Sequence, residues 1–380
     1  MKYPVRLQLS ILAVLLIGSA PAFSGGSPET HNPSEMAIPA ISPAALSPGE
    51  KLTVVATTNI VGDVVRNVAG DLADVVVLMA VGQNPHGWEP SPRDLVTIES
   101  ADMVFVNGLD LEEVLSDALS TIRAGVVVPV SAGIAVIGAD AHDDAHDDAH
   151  DDAHDVSGDP HFWFSPVNVM VWAQNIEASL SVADDAHDDA HDDAHDVSGD
   201  PHFWFSPVNV MVWAQNIEAS LSVADPANAG GYRANANAYL AELHELDVDM
   251  RAMFDAIPAG NRKLVLDHAS FGYFARDYGF TVIGSVIPGT TDQAEPSARD
   301  IASVVALVET ESIPAIFVGG TASDALRNLM AAVSRETGRE IPVLTLLTGS
   351  LAPSGEPGDT YLGFSLFNAQ QITAGLTSQR

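Results

Sequence analysis

The chain of 380 residues has no cysteine. No disulfide, thiolate metal ligand or lipid anchor attached through cysteine is therefore expected. Positive charge is scarce as well: 16 Lys and Arg stand against 51 Asp and Glu, for a formal net charge of -35. No Lys or Arg occurs between Arg123 and Arg233, where 17 Asp fall between Asp140 and Asp200. Such a surface repels nucleic acid and anionic membranes and draws cations. Bilayer-spanning runs are also wanting at the N-terminus, because the apolar stretch Leu9 to Leu16 is too short to cross. With Lys2 and Arg6 before it and Ala20-Pro21-Ala22 after it, that stretch predicts a cleaved secretory signal over residues 1–22. Residues 23–49, rich in Pro, Ser and Gly, predict a flexible leader.

Histidine is rare outside one tract. Of 13 in the chain, seven recur with Asp pairs between them: His142, His146, His150 and His154, then His187, His191 and His195. Four-residue spacing would place imidazoles on one helical face, but adjacent Asp pairs repel, so disorder is expected without metal. These seven are candidate weak, accessory metal sites that raise the local metal concentration. The tract belongs to a tandem duplication in which Asp144 to Asp184 recurs letter for letter as Asp185 to Asp225. Two copies are too few for a solenoid. One slot cannot hold both copies, so His161 and His202 compete for one role. The helix after His202 runs directly into the downstream chain, which favours His202.

The remaining pattern alternates strands and helices. Leu52–Thr57, Val75–Ala80, Met103–Asn107 and Val126–Val130 read as buried parallel strands, with helices at Val61–Val68, Pro92–Ser100 and Leu111–Ile122 between them. A second series begins at Lys263. It has strands at Lys263–Leu266, Thr281–Val286, Ala315–Val318 and Pro342–Leu346, and helices near Phe271–Tyr278, Ala298–Thr310, Ala322–Thr337 and Leu362–Leu376. Between the series, Tyr232 to Ala256 lacks Pro and Gly and repeats apolar residues at helical spacing. The predicted fold is α/β: two parallel-sheet lobes joined by a long rigid backbone helix. The expected boundaries are 50–225 for the first lobe, including the duplicated loop at about 140–200, 226–258 for the linking helix and 259–380 for the second lobe.

Four candidate ligands fall where such a fold places a site. His86 follows the second strand, His268 follows the first strand of the second lobe, and Asp359 follows its last strand. Open parallel sheets bind ligands beyond the carboxyl ends of their strands, so facing lobes converge these groups on a metal site at the lobe interface. Three imidazoles (His86, His202 or its twin His161, and His268) with the Asp359 carboxylate make a tetrahedral set suited to Zn²⁺. Glu89 and Asp267 are candidate partners for the other ring nitrogens. Trp88, Trp204 and Phe271 are candidate shields.

Val54-Val-Ala-Thr-Thr-Asn-Ile-Val-Gly-Asp63, Asn84-Pro-His-Gly-Trp-Glu-Pro90, Asp200-Pro-His-Phe-Trp204 and Asp267-His-Ala-Ser-Phe-Gly-Tyr-Phe274 together resemble solute-binding proteins of the zinc/manganese ABC importers. The resemblance runs from about Lys51 to the C-terminus. It implies a metal buried between two lobes, with His86, His202 (or His161), His268 and Asp359 as ligands, and a His/Asp-rich loop where the tract lies. It also implies high-affinity extracytoplasmic capture of Zn²⁺ and delivery to an ABC permease. A periplasmic metallochaperone is a further candidate partner. No enzymatic activity is expected, nucleic acid is not a partner, and the protein is expected to be a monomer in the periplasm. Without the family's lipobox cysteine it is expected not to be a lipoprotein. In the resembling proteins the third ligand tends to be His for zinc and Glu for manganese, so His268 favours Zn²⁺. The alternatives are a Mn²⁺ or Fe²⁺ binder of the same importer type, a zinc-dependent hydrolase, or a metal-buffering surface protein.

Overall fold

The computed structural model describes residues 37–120, 126–138, 199–287, 289–291, 294, 296–336 and 341–377. The expected signal peptide, the start of the leader, the seven tract histidines and His161 lie outside them. Strand β1 (Leu52–Ala56) is the centre of a four-stranded parallel sheet ordered β2-β1-β3-β4. Its neighbours are β2 (Ala73–Val77) and β3 (Met103–Val106), with β4 (Val126–Pro129) beyond β3. The β3 run Met-Val-Phe-Val is buried throughout, as an apolar stretch covered on both faces must be.

Local chemistry sets the helix ends. Helix α1 (Asn59–Ala69) starts where the Thr58 side chain accepts the Val61 N–H and stops at Gly70, whose φ is 54°. Helix α2 (Pro92–Glu99) has Pro at its start and a Ser91/Asp94 capping box. The helix expected over Leu111–Ile122 starts later, as a 3₁₀ turn at Glu113–Leu115 that runs into α3 (Ser116–Ser120), and residues 121–125 lie outside the described ones. The cause is Glu112, whose carboxylate accepts the Asn107 and Gly108 N–H groups at 2.6 and 3.1 Å and the Thr57 hydroxyl at 2.7 Å. That carboxylate organises the loop, with Leu109 and Asp110 at φ 53° and 55°, instead of a helix start. Burial pushes the Glu112 carboxyl up from its ordinary range, and those hydrogen bonds oppose the shift.

Two helices carry the chain between lobes. Helix α4 (Pro207–Ala224) opens at Ser206, whose side chain accepts the Asn209 N–H, with Pro207 as its first residue. Helix α5 (Ala229–Phe254) has 26 residues, a length of about 39 Å at 1.5 Å per residue. Its buried face holds Tyr232, Tyr239, Leu243, Leu246, Met250 and Phe254, the stripe its spacing predicts, and packs on α4 and α1. The second lobe contains β5 (Lys263–His268), α6 (Gly272–Tyr278), β6 (Thr281–Ile287), α7 (Ala298–Thr310), β7 (Ile316–Gly319), α8 (Asp324–Glu336), β8 (Val343–Leu346) and α9 (Tyr361–Thr377). Its strands pair in parallel as β5–β6 and β7–β8, with β5 beside β7. Helix α9 packs back on α5, so α5 contacts both lobes.

One apolar cluster runs from Leu52 of β1 through Trp213, Tyr232 and Phe254 to Phe317 and Leu376. Shared burial of this kind resists independent movement of the lobes. Part of the expected flexible leader belongs to it. Ile38, Ile41, Ala44 and Leu46 pack against the cluster, and the Ala44 N–H donates to the Ala224 carbonyl at 2.8 Å. The apolar residues spaced along this Pro-rich stretch explain the difference. No helix among the described residues is long and apolar enough to cross a membrane.

Candidate metal centre

Three histidines from three places in the chain meet where the lobes join. His86 lies on a single 3₁₀ turn, Pro85–Gly87, begun by Asn84, whose side-chain oxygen accepts the His86 N–H at 3.0 Å. His202 sits in the turn ahead of α4, and His268 is the last residue of β5. The Nε2 atom of His202 lies 3.0 Å from that of His86 and 3.4 Å from that of His268, and one ligand atom from each of the three lies within 4.8 Å of the others. Three nitrogens bound tetrahedrally to zinc at 2.0–2.1 Å stand about 3.3 Å apart, so the separations fit an ion among them. His202 is 1% exposed and His268 4%, while His86 is half-buried.

Carboxylates set the ring orientations. Asp200 Oδ1 lies 2.7 Å from His202 Nδ1 and also accepts the His202 N–H at 3.0 Å. Asp267 Oδ1 lies 3.3 Å from His268 Nδ1, and its Oδ2 accepts the Gly319 N–H at 2.9 Å. A carboxylate on Nδ1 places the ring proton there and turns the Nε2 lone pair inward. The lone pairs of His202 and His268, so directed and 3.4 Å apart, repel unless a cation lies between them. Burial drives the His202 imidazole well below its usual range, and His268 lowers it further, against the field of Asp267. The ring therefore stays neutral, as a metal ligand must. Burial alone would raise the Asp267 carboxyl. The hydrogen bond and field of His268, with the Gly319 N–H, hold it below the ordinary range.

Glycines allow this packing. A Cβ on Gly272 would lie 2.6 Å from Asp200 Oδ2, and one on Gly319 would lie 2.6 Å from Thr348 Oγ1 and 3.0 Å from Asp267 Oδ2. The rest of the pocket is lined by Asn84, Trp204, Thr321, Thr348 and Gly349. The Trp204 indole N–H donates to the Thr348 carbonyl at 2.7 Å, tying the turn of His202 to the second lobe.

Not every expected residue is at the centre. Asp359 is absent from the cluster among the described residues. Its carboxylate accepts the Gly355 N–H at 2.8 Å and its own N–H donates to the Glu356 carbonyl at 3.2 Å. Those bonds engage the side chain in its own loop, outside the three-histidine group of this structure. Glu89 is exposed, and Asp200 is the carboxylate on His202. Trp88 packs with Leu78 and Leu119 on the cluster of Val55 and Ile98, and Phe271 stacks on Phe205 with ring centres 3.9 Å apart. Of the two duplicated histidines, His202 is the one described, and it is in the cluster. Asp200, Thr321 and Thr348 went unassigned in the sequence. Only Asp200 carried a signal, an acid two residues before a ligand histidine.

The pattern of the family described as zinc-uptake complex component A, periplasmic, matches residues 54–193 and 183–375. The two stretches overlap inside the duplication, where a repeated segment breaks the alignment. A manganese ABC transporter substrate-binding lipoprotein, PsaA of Streptococcus anginosus, is 27% identical over 338 residues, 87% of this chain and 90% of its own. An iron ABC transporter substrate-binding lipoprotein, MtsA of Streptococcus pyogenes serotype M1, is 28% identical over 86% of this chain and 89% of its own. The solved periplasmic zinc binding protein TroA from Treponema pallidum shares the fold at TM-score 0.67, with 24% identity over 87% of this chain and all of its own. These names overturn the expectation that the protein is not a lipoprotein, because relatives matched along most of the chain are lipoproteins. The absence of cysteine does not carry that conclusion. The protein is a substrate-binding component of a metal ABC transporter, and the chain belongs to the family of zinc-uptake complex component A.

Proposed function

We propose that the protein captures Zn²⁺ outside the cytoplasm and hands it to the permease of an ABC importer, without catalysing a reaction and as a monomer. The observation that carries the choice of metal is a donor set of three imidazole nitrogens with no carboxylate in the group among the described residues. Nitrogen donors suit zinc, whereas manganese is better served by oxygen donors. The Nε2 separations of 3.0 and 3.4 Å accord with zinc–nitrogen bond lengths. Thr321 and Thr348, neutral hydroxyls, line the same pocket, and negative charge is supplied from behind the rings by Asp200 and Asp267. A Mn²⁺ or iron reading draws on the names of PsaA and MtsA, which are said of those proteins.

The test is competitive titration of the purified, chelator-stripped chain with Zn²⁺ and Mn²⁺. One tight Zn²⁺ site is expected, with Mn²⁺ bound at least about 100-fold more weakly. Equal or tighter Mn²⁺ binding overturns the zinc assignment. Weak, additional Zn²⁺ equivalents are assigned to His142, His146, His150, His154, His187, His191 and His195, so deleting residues 140–196 removes them and leaves the tight site.

A further inference from the structure

The segment Thr348–Leu351 of the second lobe works on two sides. Thr348 and Gly349 line the metal centre beside Asn84 and His86. Gly349 comes so close to the His86 turn that a Cβ there would lie 2.5 Å from Pro85 Cδ. On its other side the segment is gripped by Asn59, a buried residue at the start of α1. The Asn59 amide donates to Ser350 Oγ at 3.1 Å and to the Ala80 carbonyl at 3.2 Å, and its oxygen accepts the Leu351 N–H at 2.9 Å. Ser350 Oγ also accepts the Gly82 N–H at 2.7 Å and donates to the Leu351 carbonyl at 3.0 Å. A hydroxyl has one proton and two lone pairs, so this one is fully used.

Three loops are therefore pinned at one buried point: the one after β1, the one after β2 that leads into His86, and the one after β8. His202 and His268 are braced by carboxylates within the buried framework. His86 rides on a loop whose residues Ala80 to Gln83 are exposed. That loop is tied to the second lobe directly by the Ser350 hydroxyl at Gly82 and indirectly by Asn59, which holds both Ala80 and Leu351, and neither Asn59 nor Ser350 touches the ligand nitrogens.

We infer that Asn59 and Ser350 are positioning residues for the metal: they hold the His86 loop against the His202–His268 pair and thereby set how fast the ion leaves. This rests on the three-imidazole site proposed above. Losing Ser350 Oγ strips the Gly82 N–H and one Asn59 N–H of their acceptor at the lobe junction, which loosens the loop that carries His86.

The experiment uses the full chain loaded with Zn²⁺ and measures its dissociation into excess chelator, with the melting temperature of the stripped protein measured alongside. Ser350→Ala is expected to speed dissociation about tenfold. Asn59→Asp keeps the size and the acceptor but loses the donor, and it is expected to shift the rate in the same direction. It serves also as the readout should Ser350→Ala not fold. The control is Tyr278→Phe, which removes a buried hydrogen bond of 2.8 Å to Asp247 on α5. It is expected to lower the melting temperature without moving the rate. Dissociation within twofold of the parent for both junction variants, or an equal acceleration in Tyr278→Phe, overturns the inference. His86→Ala separates the two layers, since tight Zn²⁺ binding retained in that variant sinks the site itself.

Discussion

The two lobes reach the metal centre differently. The first has the more regular sheet, four strands in one hydrogen-bonded order, yet one of its two ligands, His86, lies well beyond the end of β2 on a loop. The second has strands paired two and two, with a register shift at Leu264/Val265, yet its ligand His268 is a strand residue, buried and braced by Asp267. Regularity of the sheet is thus not what stiffens the site. Burial does so, and it favours His202 and His268 over the half-buried His86. We read the deeply buried half as fixed and the loop-borne half as adjustable, which is what a protein that must both hold and surrender an ion requires.

The largest effects should separate those halves. A structural zinc site is worth about 10–16 kcal/mol, which shared over three or four ligands gives roughly 10²- to 10⁴-fold in affinity for each. His202→Ala and His268→Ala are expected at the upper end and His86→Ala at the lower, measured as Zn²⁺ dissociation constants. Asp200→Asn, which touches no metal but loosens the His202 ring, is expected to cost roughly 10- to 100-fold. An ordering in which His86→Ala is the most damaging would reverse the assignment of fixed and adjustable halves.

A smaller effect concerns protons. Burial holds the folded His202 below its unfolded value, so between the two the unfolded chain binds more protons. The contribution of this residue to stability is therefore present above about pH 6.5 and is lost as the pH falls below it, with a slope of at most about 1.4 kcal/mol per pH unit. In protein stripped by chelator, the melting temperature should fall more steeply from pH 7 to pH 5 in the parent than in His202→Asn. Parallel curves would mean that His202 is not held neutral by its surroundings. Raised acids such as Asp63 and Glu112, both shifted chiefly by burial, act with the opposite sign in both proteins and drop out of the difference.

Much of this arrangement was legible because it is local. Helix α5 declared itself through its apolar spacing, and the Ser297/Asp300 capping box of α7 and the left-handed Gly279 that ends α6, φ 67°, are features of the same local kind. The three histidines stood out by rarity and by their positions near strand ends. Asp200 was readable beside His202 but needed a geometric reason to be given a role. Thr321, Thr348 and the Asn59–Ser350 junction were not readable, because hydroxyls and amides are common and their partners lie 27 to 291 residues away. The Glu112 loop misled in the same way: a carboxylate that collects backbone N–H groups looks, in sequence, like an acid at the start of a helix.

The smallest expected effect is also the sharpest check on the fixed half. Asp359 has the residue type and the chain position of a fourth ligand, but its carboxylate is engaged by the Gly355 N–H, within a loop that leads into α9. Beside it the Asp63 carboxylate accepts the Tyr361 N–H at 2.9 Å, and the like charge of Asp359 helps to raise the Asp63 carboxyl, after burial, which is the main cause. Removing the charge at 359 therefore relieves a repulsion while costing one exposed hydrogen bond, two terms of similar and small size. Asp359→Asn is expected to leave Zn²⁺ affinity within about twofold of the parent and the melting temperature nearly unchanged. A loss of tenfold or more in affinity would show that the loop swings Asp359 onto the ion when metal is bound. The ion would then be held by three nitrogens and an oxygen, and the argument for zinc from an all-imidazole donor set would lose its footing.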